Sequence, residues 1–446
     1  MRCASRSRRA VSSPQVINPS RGLQGSIRVP SDKSVSHRAL MLSAVAEGQT
    51  RIHALLAAGD CLSTRDALMQ MGVRMDTLGQ TEDRLDVLVH GVGLHGLREP
   101  QGALNAGNSG TTLRLMLGLL AGCPWQARIL GDESLSRRPM DRVALPLRQM
   151  GASVAGQGDR CTPPLQVRGT DTVKAIAYQS PVASAQVKSC VLLAGLFAKG
   201  TTSVELPRPA RDHTERMLEH FGVPVEVDGL RCSVSGPARL RAKDLVVPGD
   251  LSSAMFFLVA GSLVPGSQLV LEEVGLNPTR RAGLDILERM GADLQISFTG
   301  AKTGEPVGRI EIKTHALQGV EVGPDEVAVA IDELPILMVA ATQAEGLSCF
   351  RGAGELRVKE TDRIASMTEG LRRMGAKIEV RGEDIRVQGP VLLQGASVES
   401  FGDHRTAMSL AVAGLVAKGK TQIQNPACVS ISYPAFFNTL SFLSPV

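Results

Sequence analysis

Pro-Ser-Asp-Lys-Ser-Val-Ser-His-Arg-Ala-Leu-Met-Leu-Ser-Ala-Val-Ala-Glu-Gly, residues 30–48, contains in miniature the plan of the whole chain. Ala39, Leu40, Leu42, Ala44, Val45 and Ala46 recur at helical spacing. Ser31 or Asp32 can cap that helix, leaving a first turn with unpaired N–H groups and a positive dipole end. Lys33, Ser34 and Arg38 add two cations and a hydroxyl there. Such a helix start suits a phosphate or carboxylate. Taken alone, the segment is equally well described as a capped helix with surface charge.

Its far end, small residues and Gly followed by a strand, is what repeats. The pattern occurs at residues 44–48 before 50–52, 120–122 before 127–130, and 194–200 before 203–206. It returns at 260–266 before 268–271, 340–346 before 347–350, and 413–419 before 421–423. The turn glycines fall roughly 65 to 80 residues apart, so each unit is a large α/β module, not a solenoid repeat. A second pattern, a bulky residue then Gly at a helix end, reads Met71-Gly72, Met150-Gly151, Phe221-Gly222, Met290-Gly291 and Met374-Gly375. These glycines fit helix C′ positions, and alternating strands such as 377–380 and 384–388 then predict a hairpin.

The second pattern lacks a sixth copy. Residues 16–29, with turn residues Arg21-Gly22 and Gly25, are predicted to supply the missing hairpin to the last module. The chain then begins in the C-terminal domain, crosses near residues 30–33, builds three modules, and returns near 248–250. The predicted domains are 32–249 and 15–31 plus 250–446, preceded by a disordered basic tail, 1–14. Mixed strands and helices in each module indicate an α/β (α+β) class, with both crossings at an interdomain cleft, a common place for a site.

Composition sets outer limits. At 446 residues two domains are expected. The longest apolar run, 254–264, is too short for a bilayer. A net charge of +5 favours anionic small molecules, whereas 3% aromatic content is poor material for stacking nucleic-acid bases. The eight cysteines are dispersed without a Cys-x-x-Cys pair, which reads as reduced thiols in a cytoplasmic protein and no metal site. Arg2, Arg6, Arg8 and Arg9 precede no apolar region, which excludes a secretory signal; a short transit peptide is the alternative to a plain tail.

Further helix starts and turns that could hold an anion lie downstream. They are Asn108-Ser109-Gly110-Thr111-Thr112, Ser136-Arg137-Arg138-Pro139-Met140, residues 181–186 with Lys188, and Arg211-Asp212-His213-Thr214. Pro139 pushes Arg138 toward an extended conformation. Each has an ordinary explanation as a cap, a turn or a surface charge. Ile331-Asp332-Glu333-Leu334-Pro335, residues 357–363 (Arg-Val-Lys-Glu-Thr-Asp-Arg) and Phe401-Gly402-Asp403-His404-Arg405 are denser in charge, yet bounded by apolar segments. Six helix N-termini aimed at one cleft would form a strongly anion-attracting centre.

Residues 30–38, 108–111, Arg138-Pro139, 184–186, Asp332, 357–363 and 403–405 together resemble the signature segments of the 5-enolpyruvylshikimate-3-phosphate (EPSP) synthase family, over nearly the full chain. The resemblance implies a two-domain inverted α/β barrel of six βαβαββ modules, three per domain. It implies enolpyruvyl transfer from phosphoenolpyruvate to the 5-hydroxyl of shikimate 3-phosphate, with release of phosphate, by a monomer that needs no organic cofactor or metal. By the same resemblance Lys33, Ser34, Arg38, Ser184, Ala185, Gln186, Arg211, Asp332 and Lys359 bind shikimate 3-phosphate. Lys33, Gly110, Arg138, Gln186, Arg363 and Arg405 bind phosphoenolpyruvate. Asp332 is the expected base at the hydroxyl, and Glu360 or Lys33 the expected acid at the enol carbon. Gly110 implies sensitivity to glyphosate, which Ala at that position crowds in this family. Two positions depart from the family: Ile431 stands where many members have Lys, and Glu355 where others have a neutral amide. The competing readings are UDP-N-acetylglucosamine enolpyruvyl transferase, opposed by residues 359–363, a nucleotide- or RNA-end-binding protein on similar modules, and an inactive homologue.

Overall fold

A computed structural model describes residues 13–444, so the basic tail expected at 1–14 lies outside the described residues except for Ser13 and Pro14. The module is clearest at Leu104–Asn105. This edge strand leads into the helix Gly110–Leu120, the strand Gln126–Leu130, the helix Asp141–Gln149, and the hairpin Ser153–Gln157 and Thr162–Arg168. In its sheet Gln126–Leu130 is parallel to the edge strand and antiparallel to Thr162–Arg168, which pairs with Ser153–Gln157. Five sheets repeat this four-stranded order and a sixth has three strands.

Each module contributes two kinds of helix. The inner helix, exemplified by Leu251–Leu263, is apolar nearly all round and buried from Leu251 to Ser262, as expected of a helix enclosed by other elements. The outer helix is amphipathic. In Ala282–Arg289, Leu284, Ile286 and Leu287 are buried while Asp285, Glu288 and Arg289 face outward. The glycines after the outer helices, among them Gly72 (φ 89°), Gly151 (102°) and Gly375 (94°), adopt the left-handed conformation that ends a helix.

The N-terminal segment departs from expectation. Residues 16–29 do not form a hairpin; they divide between two sheets. Gln15–Ile17 pairs antiparallel with Thr421–Gln424, and Gln24–Ile27 pairs parallel with Gln268–Gly275. The other half of the molecule closes in the same way: Arg231–Gly236 is antiparallel to Gly200–Glu205, and Leu245–Val246 then joins Glu47–Leu56 in parallel. Each ring of three sheets needs its last strand to return to the first sheet. Buried Leu23, Ile27 and Val29 anchor that return, whereas a hairpin would satisfy only one of the two edges.

Among the described residues, beside a small cluster of Leu56, Ala58 and Cys61, two large hydrophobic cores result, one drawn from residues 35–247 and the other from 17–29 and 251–443. The chain passes between them twice, and the two passages pair with each other. Asp32 N donates to Pro248 O (2.7 Å) and Asp250 N to Pro30 O (2.8 Å). No helix among the described residues is long and apolar enough to cross a membrane. Cys61, Cys123, Cys161, Cys190, Cys232 and Cys349 are buried free thiols, and Cys428 is half-buried.

Candidate active site

The first turns of all six inner helices, or the residues just before them, line one cleft of about 480 Å³ between the two cores: Lys33 and Ser34, Gly110 and Thr111, Ala185 and Gln186, Asp250, Asp332, and Arg405. Five of the six starts are side-chain capped. Asp32 accepts from Val35 N, Ser109 from Thr112 N, Ser184 from Val187 N, Asp250 from Ser252 N, and Asp403 from Arg405 N. Of the two candidate caps for the first helix, Asp32 is the one used. Each cap fixes its helix while leaving other first-turn N–H groups toward the cleft.

The wall formed by residues 33–211 is cationic. Lys33 Nζ lies 3.1 Å from Asp60 Oδ2. Arg38 is held by Thr214 Oγ1 (2.7 Å), Ser189 Oγ (2.7 Å) and Ser34 O (2.9 Å). Arg138 donates to Asn108 Oδ1 (2.8 Å) and Ser134 Oγ (3.2 Å), and Gln186 is set between Thr111 (2.9 Å) and Arg114 (2.7 Å). The opposite wall supplies Asp332, Lys359, Glu360 and Arg405. Ion pairs connect the walls: Arg211–Asp332 at 2.9 Å, Arg142–Glu355 at 3.1 Å, Arg208–Asp325 at 3.1 Å and Arg138–Glu360 at 3.6 Å.

Every residue expected in the site lines this cleft except Arg363. Its side chain is 1% exposed and lies behind the wall, with Nε on Asp403 (2.8 Å), Nη1 on Asp332 (3.3 Å) and Nη2 on Glu360. Arg363 therefore ties together the two carboxylates expected to handle protons.

The electrostatics follow from this packing. Burial alone would raise the pKa of Asp332, but Arg405, Arg211, Lys359 and Arg363 outweigh it and hold the carboxyl well below its usual range. Glu360 is likewise held well below, against burial, by Arg363, Arg138, His404 and Lys33. Lys33 is raised, because Asp60 and Glu360 outweigh the opposing effect of burial. Lys359 is lowered, chiefly by burial. His404 is pushed well below its ordinary value by burial, then by Lys33 and Arg405, and neither ring nitrogen has a hydrogen-bond partner.

Sequence reasoning missed several residues of the cleft. Asp60, the partner of Lys33, begins a helix with no distinguishing motif. Arg114 lies on the face of an apolar helix; its pKa falls to about 10 through burial, then Arg138 and Arg142. Its place one turn after Gly110 was the available signal, since positions i and i+4 share a face. Arg280, buried against Asp250, Asp32 and Ser252, had no signal beyond a Pro-Thr-Arg-Arg turn. Glu355 faces Arg142 from the opposite lobe, and Ile431 is not among the cleft-lining residues.

Known proteins share both the sequence and the architecture. The family described as EPSP synthase (3-phosphoshikimate 1-carboxyvinyltransferase) matches residues 17–440. A 3-phosphoshikimate 1-carboxyvinyltransferase of Bacillus cereus (strain B4264) is 49% identical over 423 residues, covering 95% of this chain and 97% of the relative. The solved EPSP synthase from Acinetobacter baumannii is 43% identical with a TM-score of 0.86, covering 97% of this chain and 98% of that one. The enolpyruvyl transferase NikO from Streptomyces tendae, at 18% identity and a TM-score of 0.76 over 97% of each chain, shares the fold.

Proposed function

The chain belongs to the EPSP synthase family, and on that premise we propose how its cleft performs the reaction. The enzyme is a 3-phosphoshikimate 1-carboxyvinyltransferase of the shikimate pathway. It transfers the enolpyruvyl group of phosphoenolpyruvate to the 5-hydroxyl of shikimate 3-phosphate, rather than to UDP-N-acetylglucosamine, and releases phosphate.

The observation that carries the assignment of roles is the meeting of Lys33, Arg138, Arg211 and Arg405 with Asp332 and Glu360 in one cleft. Ser34, Arg38, Ser184, Ala185, Gln186 and Arg211 receive shikimate 3-phosphate, with Asp332 and Lys359 at its ring hydroxyls. Lys33, Arg138, Gln186 and Arg405 clamp phosphoenolpyruvate beside Gly110. The guanidinium forks match carboxylate and phosphate oxygens and remain charged. Arg363 supports this clamp from behind, through Asp332 and Glu360.

Asp332 accepts the hydroxyl proton as the oxygen attacks C2 of the enol. A proton delivered to C3 from Lys33 or Glu360 turns the methylene into a methyl group and completes the tetrahedral adduct. Loss of a methyl proton then expels phosphate and restores the double bond. Lys33 carries a proton in the arrangement described above. Glu360 is held as a carboxylate, against burial, chiefly by Arg363 behind the wall and then by Arg138, so Lys33 is the group that enters the reaction already protonated. Cations aimed at the adduct stabilise charge where it develops.

Residues 32–249 and 15–31 with 250–446 form the two domains, and the protein acts as a cytoplasmic monomer; gel filtration tests the oligomeric state. The decisive assay is phosphate release from phosphoenolpyruvate. Turnover with shikimate 3-phosphate and none with UDP-N-acetylglucosamine is expected, and the reverse would overturn the reading.

A further inference from the structure

Arg280 belongs to none of the segments that mark the site, yet it is where the two lobes and three of the six inner helices meet. It ends the short turn Pro278–Arg280 of the C-terminal core, and its side chain is 4% exposed. Nη2 donates to Asp250 Oδ1 (2.7 Å) and Ser252 Oγ (2.9 Å), and reaches Asp32 Oδ2 at 3.5 Å. Nη1 lies 3.8 Å from Glu333 Oε1, and Ser252 Oγ also bonds Glu333.

Those partners are not arbitrary. Asp32 caps the helix Lys33–Val45, which carries Lys33, Ser34 and Arg38. Asp250 caps Leu251–Leu263, at the second passage between lobes. Glu333 directly follows Asp332 and precedes Leu334–Gln343. Three buried carboxylates from three helix starts thus share one guanidinium. All three hydrogen bonds fall on one nitrogen, Nη2, while Nε and Nη1 have no hydrogen-bond partner among the described residues and Nη1 meets Glu333 only at ion-pair distance.

The same turn also holds a fourth element. Asn277 Nδ2 and Thr279 Oγ1 donate to Asp212 Oδ1 (2.7 and 3.0 Å), and Asp212 N donates back to Thr279 Oγ1 (3.2 Å). Asp212 adjoins Arg211 and precedes the helix His213–His220. A turn of the C-terminal core thereby fixes two segments of the other lobe, those bearing Lys33 and Arg211.

We propose that Arg280 is a positioning residue for the transfer reaction, setting the Lys33 helix of one lobe against the Asp332 helix of the other. It touches neither reacting atom; it fixes the distance across which the hydroxyl and the enol must meet. Loosening that distance should lower kcat far more than it weakens binding, since most anion contacts remain on their own lobe.

This inference rests on the enolpyruvyl transfer proposed above, and turnover by the unaltered enzyme in the same assay tests that premise separately. Arg280→Ala should lower kcat by about 10²-fold, the scale of a misplacement remote from the chemistry, with much smaller changes in KM for both substrates. Because Arg280 lines the cleft, added guanidinium chloride at sub-denaturing concentration should restore part of that rate. A general loss of folding would not be rescued in this way. Arg280→Lys keeps the charge but ends one bond short of the Nη2 position that makes the three hydrogen bonds, and should fold with reduced kcat. Wild-type kcat in either variant overturns the proposal, as does a folded Arg280→Ala whose loss lies in KM or is unmoved by guanidinium. If Arg280→Ala does not fold, Arg280→Lys decides alone.

Discussion

The two walls of the cleft are built on the same module, yet they differ in the acids they bring to it. The inner helices of the first lobe open with Lys33-Ser34, Gly110-Thr111 and Ala185-Gln186, without an acid in any first turn. The second lobe brings Asp332, Glu360, Glu355 and Asp325 to its wall or rim. In each of the four ion pairs that these acids make across the cleft, the cation stands on the first lobe. Both walls carry cations, Lys359 and Arg405 on the second among them, but the acids that face the opposite lobe across the cleft stand on the second wall. The division makes physical sense. A base surrounded by substrate anions on its own wall would be repelled by them, whereas opposing placement lets each substrate displace a pre-existing pair.

The sharpest way to break this comparison is Asp332→Asn. The amide preserves shape but cannot accept the hydroxyl proton, so kcat should fall by about 10²- to 10⁴-fold. Binding of shikimate 3-phosphate, followed calorimetrically, should change little, because the first lobe keeps its cations. Near-normal kcat in the Asp332→Asn variant would mean that the second wall is electrostatic scaffolding only.

The division between walls was partly visible in the chain itself. Six Gly-terminated helix patterns were enough to count modules, because the C′ glycine and the following strand are local features. Lys33, Arg138 and Arg405 each had an ordinary local explanation and became legible only through the resemblance that their segments carry together. Arg280 and Asp60 were not, since their significance lies in partners 30 and 27 positions away. The splitting of residues 16–29 between two sheets was also hidden. Alternating strand residues specify that a strand exists, but which edge it joins is decided by ring closure far along the chain.

Gly110 sharpens the comparison on the binding wall. A Cβ there would lie 2.8 Å from Arg114 Nη1 and 3.4 Å from Arg138 Nη1. The guanidinium of Arg114 must then move, and Gln186, its partner at 2.7 Å, moves with it. Gly110→Ala should raise KM for phosphoenolpyruvate by about tenfold or more, the scale of one extra carbon in a tight pocket, while kcat changes less. Inhibition of the unaltered enzyme by glyphosate should be strong and that of Gly110→Ala much weaker; equal inhibition constants would contradict the crowding argument.

A smaller effect compares two histidines, one in each lobe. Burial first, then Lys33, holds both His37 and His404 well below the ordinary imidazole value. The unfolded chain therefore binds more protons than the folded one below about pH 6.5. Stability is unaffected by these groups above that pH and declines as pH falls beneath it. Asp332 and Glu360 add a further decline only below the usual carboxylate range, about pH 4, since their folded values are depressed. Each histidine can contribute at most about 1.4 kcal/mol per pH unit. Melting temperatures between pH 7.5 and 5 should fall, and His404→Asn should flatten part of the slope. A pH-independent melting curve over that range would be inconsistent with two buried neutral imidazoles.

The least effect is expected at the rim, where Arg142 and Glu355 meet at 3.1 Å with side chains 26% and 51% exposed. Such a pair is worth about 0–1 kcal/mol, so removing it should not alter folding. Its influence is on the field at the cleft mouth: Glu355 offsets a cation of the binding wall just where anions enter. Glu355→Gln should lower KM for phosphoenolpyruvate by about twofold at low ionic strength and lose that advantage near 1 M salt, where the Debye length is about 3 Å. Arg142→Ala should act in the opposite direction with the same salt dependence. If both substitutions shift KM the same way, the rim pair acts as a mechanical latch between lobes, and the electrostatic division of the walls ends inside the cleft rather than at its mouth.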